Sequence, residues 1–260
     1  MTEVSIYLAV GFVTQLLLEL PTGALADLIG RKFTIVLAYT ADAIQYLLFA
    51  FAITFPQFLI LSVISGLAEA LRSGSLEAIV YDSLKQDKKE KTFTSIMAQQ
   101  GLRFQIGLMV STFLGGFLYT FWQPLPFVLT GVFLTGSIII STYFIEPSID
   151  SEKFGLRNYL RQIKWGAREA FHTHKHRLMS LYYIAVGAIS WMCAIYFNDY
   201  ILIDFGFMAE QRGIISAILR LINITLLTKL LTNEKIFNFR RTILFFPIIM
   251  LVGLLPGYWL

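Results

Sequence analysis

Cysteine is almost absent from this chain. Cys193 is the only one among 260 residues, so no internal disulfide is possible and nothing is learned about redox compartment. Charge is also scarce, at 15% of residues against 56% apolar. A soluble domain of this length needs more charge to cover its surface, so a water-soluble helical protein is excluded. The chain contains only three histidines, His172, His174 and His176, and they fall together in one hydrophilic stretch. Their alternate spacing is that of imidazoles on one side of an extended strand. No cysteine or second histidine group completes a metal site, and a solvated basic segment is the expected reading. No glycine-rich phosphate loop and no nucleophile constellation is present, so neither ATP hydrolysis nor covalent catalysis is expected. The opening MTEVSIYLAVGF lacks the basic region and small-residue cleavage site of a secretory leader.

What the chain has instead is long apolar runs. About 20 mostly apolar helical residues cross a bilayer. Eight stretches approach that length, at approximately 4–27, 33–54, 58–84, 93–121, 126–146, 178–203, 212–232 and 242–260. The predicted fold is therefore all-α, a polytopic transmembrane helical bundle. The gaps 54–57 and 122–125 carry no charge, whereas the alternate gaps are basic. Arg31 and Lys32 lie in one, and Lys85, Lys88, Lys89 and Lys91 in the next. The stretch 147–177 holds seven lysines and arginines, and Lys229, Lys235, Arg240 and Arg241 close the series. All but Arg72, Arg103, Arg212 and Arg220 of the 21 lysines and arginines thus share one membrane face. The positive-inside bias makes that face cytoplasmic and puts the N-terminus of this chain outside, in a multi-pass protein of the cell membrane.

The stretch 147–177 divides five spans from three, which predicts an N-terminal half at 1–146, a cytoplasmic linker and a C-terminal half at 178–260. Within the linker, Leu156, Tyr159, Leu160, Ile163 and Ala167 recur at helical spacing, with Arg157, Arg161, Lys164 and Arg168 on the other faces. An amphipathic helix on the anionic inner leaflet fits that pattern, and so does a solvated linker helix.

The turn between the first two spans reads GALADLIGRK, Gly23 to Lys32. Gly30 suits a left-handed helix stop, and Arg31 and Lys32 suit anchoring among headgroups. Asp27 stands at the edge of the low-dielectric region and wants a cationic or helix-terminal partner. Gly23, Asp27, Gly30, Arg31 and Lys32 resemble the signature loop of the major facilitator superfamily, although Leu28 stands where that family usually has a basic residue. LLELPTG (Leu17 to Gly23) resembles the second helix of its drug-efflux members, and Ser65 to Leu84 the fourth. In the fourth-helix segment Ser62 replaces an expected arginine. Gly66, Ala70, Gly74 and Ala78 form a ridge of small residues there. Gly107, Ser111, Gly115 and Gly116 resemble the antiporter motif of helix five, with Ser111 and Thr112 in place of glycine and proline. NFRRTIL, between the last two spans, echoes GRKFTIV of the first loop, as duplicated halves predict.

The resemblance implies a secondary transporter driven by a proton or ion gradient, an exporter of a small organic solute working by alternating access, with no cofactor, no metal and no enzymatic activity. It places these spans at helices two to nine of the usual twelve, so the chain reads as lacking its first helix and its last three. Expected partners are the lipid bilayer, the solute and a proton, and not nucleic acid. It also implies that Asp82 meets Arg31 to complete the gating cluster. Glu69 and Arg72 lie three apart within a span, at pairing distance on one helix face. They read as a coupling carboxylate with its partner, or as an ion pair that only fixes packing. Glu77 is a third candidate on that span. Arg103, with Gln99, Gln100 and Gln105, marks either a cavity mouth or the helix entrance. Asp42 and Gln45 read as packing residues, and Arg220 and Asn223 as interface candidates. Two alternatives stand beside the transporter: a non-transporting remnant that only packs its helices, and a membrane-embedded enzyme. The enzyme lacks the intramembrane histidines it would need.

Overall fold

The structure is a computed structural model, and it describes residues 2–146, 161, 164, 173, 177, 178, 180–182, 185 and 202–231. Among the described residues the helices are α1 (Thr2–Ile29), α2 (Arg31–Phe49), α3 (Phe55–Gln86), α4 (Phe93–Phe121), α5 (Leu125–Thr142) and α6 (Ala209–Leu231), with a 3-10 turn at Glu90–Thr92. There is no strand among the described residues, and the fold is an all-α helical membrane bundle. The predicted spans 178–203 and 242–260 fall outside the described residues, apart from a few isolated positions of the first. So do the linker histidines and, except for Arg161 and Lys164, the amphipathic stretch of the linker.

Four of these helices are long and apolar enough to cross a bilayer: α1, α3, α4 with its preceding turn, and α5. Many of their large apolar side chains face outward, whereas Leu28, Leu61, Leu71 and Ile79 are buried. Leu17 is 68% exposed and Phe133 75%, as suits a bundle whose solvent on that side is hydrocarbon. Helix α2 is different. It carries Arg31, Lys32 and Asp42 in only 19 residues, and one side of it is covered by protein while Phe33, Leu37, Ile44 and Leu48 are exposed on the other. It packs against both α3 and α5, and Thr34, Ile35, Ala38, Asp42, Ala43 and Gln45 are buried there. The α6 helix likewise includes Glu210, Arg212, Arg220 and Lys229 and falls short of that apolarity.

The described helices belong to two compact units, Met1–Met97 with Trp122–Ala170, and Ala98–Phe121 with Phe171–Leu260. In the first, α2 is tied at both ends. At one end Phe49 packs its ring against Tyr7 of α1, Phe58 of α3 and Phe127 of α5, with centroids 4.8–5.9 Å apart. At the other end Arg31 gathers charged groups. Arg31 and Phe49 are eighteen residues apart, ~27 Å along a helix, close to the ~30 Å hydrocarbon thickness. An aromatic end and a basic end so spaced are what the two interfaces of a bilayer favour.

The α1–α3 seam is built on close approach. The Ser62 hydroxyl donates to the Tyr7 carbonyl. One turn on, a Cβ at Gly66 would come within 2.8 Å of the Thr14 Cβ and 3.1 Å of the Gln15 nitrogen. Further along, the Thr22 hydroxyl lies 2.9 Å from the Ala70 carbonyl. Gly66 and Ala70 of the predicted ridge therefore take part, whereas Gly74 has open space beside it. In the second unit α4 meets α6 at two glycines: a Cβ at Gly116 would sit 3.1 Å from the Glu210 Cα, and one at Gly213 2.9 Å from the Thr112 carbonyl. Among the described residues nothing lies within 4 Å of a Cβ built at Gly107 or Gly115, and Ser111 is exposed.

Candidate functional site

Helix α1 ends at Ile29, and Gly30 turns the chain with φ +100°, a left-handed conformation that a side chain resists. Helix α2 restarts at once, and this puts Arg31 at its first position. The Arg31 guanidinium forms an ion pair with Asp82 near the end of α3, and lies 3.4 Å from Asp27, one turn back on α1. Three helices thus converge on one cation. Lys32 is half-buried beside it, and Gly23 lies exposed two turns before the bend.

A residue outside the motif completes this cluster. The Arg31 amide donates to Glu146 Oε1 at 2.8 Å and the Lys32 amide to Glu146 Oε2 at 2.7 Å. Glu146 follows α5, more than a hundred positions along the chain. The only sequence signal for it was a carboxylate closing an apolar span.

A second polar group lies deeper. Arg72 pairs with Glu69 on its own helix, and its Nη1 lies 3.9 Å from the Asp42 carboxylate of α2. Asp42 is eleven residues from Arg31, and Arg72 ten from Asp82, which places both ~15 Å along the helices from the basic cluster, half the ~30 Å thickness of a hydrocarbon core. Glu69 lies a little further still. Asp42, expected to be a packing residue, is buried between helices and is also the third member of this ion-pair group. Its side chain is 10% exposed against 41% for Glu69, so the two carboxylates differ in access. Gln45, one turn from Asp42, is 3% exposed, and its Oε1 has no hydrogen-bond partner among the described residues. Tyr39 and Tyr46 lie within electrostatic reach of the group. Glu19 on α1 belongs to the same depth range and lies 3.3 Å from the Ser73 hydroxyl. A charge inside the LLLELP run was the signal for it.

Other candidates stand apart from both clusters. Glu77 is exposed on α3. Arg103 belongs to the second unit, is exposed, and points a guanidinium nitrogen at Gln99 Oε1, 3.5 Å away on its own helix. Among the described residues no group of three histidine, cysteine or acidic side chains is arranged to hold a metal ion.

An apolar helical bundle with a glycine-arginine turn locked to two helix ends has a counterpart among known families: the Major Facilitator Superfamily family model matches residues 1–260. The chain belongs to the major facilitator superfamily. Two relatives show where in the superfamily its sequence lies. The tetracycline resistance protein, class H, of Pasteurella multocida is 26% identical over 147 residues, 56% of this chain and 36% of its own length. The uncharacterized MFS-type transporter YxaM of Bacillus subtilis (strain 168) is 23% identical over 227 residues, 86% of this chain and 56% of its own. The chain thus spans from about a third to rather more than half the length of these curated relatives. No solved structure matches this major facilitator superfamily chain significantly.

Proposed function

We propose that this chain serves secondary transport of a small organic solute, exported across the cell membrane in exchange for protons. The observation that carries this reading is the Asp42–Arg72–Glu69 group. Two carboxylates share one guanidinium at mid-membrane, which leaves one negative charge in excess. Uncompensated charge is costly there, and a proton on one carboxylate removes it. Glu69 is the better-exposed of the two and is the proposed carrier, with Asp42 as the fixed counter-ion of Arg72. Protonation frees Arg72 to pair with Asp42 alone, and deprotonation restores the three-way contact. A proton taken up and released in this way ties the charge state of the site to its conformation.

The Arg31 cluster is the proposed gate at the cytoplasmic face, with Asp27 and Asp82 holding one conformation. Alternating access then follows from movement of the halves joined by residues 147–177. Export is supported by the tetracycline resistance relative, whose name supplies the first probe. Tetracycline uptake into everted membrane vesicles containing the full chain, with and without a proton gradient, tests the proposal. Gradient-driven uptake supports it. A well-inserted chain that moves neither tetracycline nor a lipophilic cation such as tetraphenylphosphonium favours the non-transporting packing reading. Asp27→Asn is expected to lower transport by more than it lowers the amount of protein in the membrane; equal losses point to a folding role for Asp27.

A further inference from the structure

The first amides of a helix have no partner within it, and a side chain at the N-cap usually supplies one. Helix α2 has no such cap. Its N-cap is Gly30, whose φ of +100° favours glycine and so leaves the position without a side chain. The Glu146 carboxylate fills that role from the far end of α5, with one oxygen on each of the first two amides. A carboxylate there also faces the positive end of the helix dipole. The fit is close: a Cβ at Gly30 would stand 3.4 Å from the Glu146 carboxyl carbon.

We propose that Glu146 is a positioning residue for the Arg31 gate. It holds the backbone of Arg31, whereas Asp27 and Asp82 hold its side chain. The first turn of α2 must be wound for the guanidinium to reach Asp82. Withdrawing Glu146 strips the cap from the residue on which both ion pairs depend. The consequence for transport rests on the transporter reading above, whereas the cap itself does not.

Hydrogen exchange on the full chain in lipid nanodiscs tests the cap. In Glu146→Gln, amides of the peptide covering residues 30–36 are expected to exchange roughly tenfold faster, the size of losing a charge-assisted cap. Peptides from α3 and α5 keep their wild-type rates, and Glu146→Asp, which restores the carboxylate, recovers most of the protection. An unchanged 30–36 peptide overturns the proposal, and so does a uniform rise across all helices, which marks general destabilisation. Tetracycline uptake into vesicles then separates the gate from the cap. Positioning predicts a lower maximal rate with unchanged half-saturation; unaltered uptake in a variant with faster exchange overturns the gating role. Absence of uptake by the wild type removes the transporter reading and leaves the exchange result to decide the cap.

Discussion

A single guanidinium that serves two acids cannot be removed without stranding both. For Arg72 this sets the order of mutational effects. Arg72→Ala leaves Asp42 and Glu69 facing each other in a low-dielectric setting, and breaking a fully buried ion pair costs about 3–5 kcal/mol. The Arg72 side chain is 33% exposed, so the expected loss is smaller, on the order of 2 kcal/mol. Adding Glu69→Gln to Arg72→Ala takes away one of the stranded charges and is expected to recover part of that loss. Thermal unfolding of the three variants in detergent checks both statements, and a double variant less stable than Arg72→Ala contradicts the shared-cation account. The Glu69–Arg72 pair was legible in the sequence, because a spacing of three puts both side chains on one face of a helix. The part played by Asp42 was not legible: it depends on the register of α2 against α3, which no spacing within one helix encodes. Glu146 was hidden for the same reason, lying 115 positions from Arg31.

At the scale of the helix, close approach decides which glycines matter. Gly66 faces the α1 backbone and Gly74 faces open space, although both belong to the same four-residue ridge. Gly66→Val is therefore expected to destabilise by about 2–3 kcal/mol through overpacking, and Gly74→Val by much less. The melting temperatures of the purified variants decide it; equal shifts contradict the seam described between α1 and α3. Six of the eight apolar runs coincide with described helices, whose ends were read less well, and the runs 178–203 and 242–260 lie outside the described residues, apart from isolated positions of the first. The second span was expected to reach residue 54, but α2 stops at Phe49. Phe51 and Ile53 continue the apolar run outside the helix, and Ile53 is 88% exposed. Hydropathy reports the preference for lipid and is blind to where the hydrogen-bonded ladder stops. The fifth span overran in the same way: Tyr143, Phe144 and Ile145 are apolar but follow α5, and this short extension carries Glu146 to the first turn of α2.

For the molecule as a whole, the alternation of basic and uncharged gaps gives an orientation that labelling can test. With Cys193→Ser as background, single Ile53→Cys and Lys88→Cys substitutions report on opposite ends of the first unit. A membrane-impermeant maleimide is expected to label Ile53→Cys in intact cells and Lys88→Cys only after the membrane is opened. The reverse pattern places the basic end outside and removes the cytoplasmic gate from the proposal.

Helix α2 also has a consequence for how the protein is made. A helix leaves the translocon for lipid according to its own apolarity, and an aspartate near the centre costs about 2.5–3.5 kcal/mol on that scale. With Asp42 and Gln45 buried among neighbouring helices, α2 is expected to enter the bilayer as part of a group rather than alone. Its partners arrive from both directions: α1 is synthesised before it, α3 and α5 after it. A nascent chain halted just beyond α2 therefore still lacks the arginine that neutralises Asp42. During that interval the second helix is expected to stay at the translocon or the membrane surface, waiting for the third.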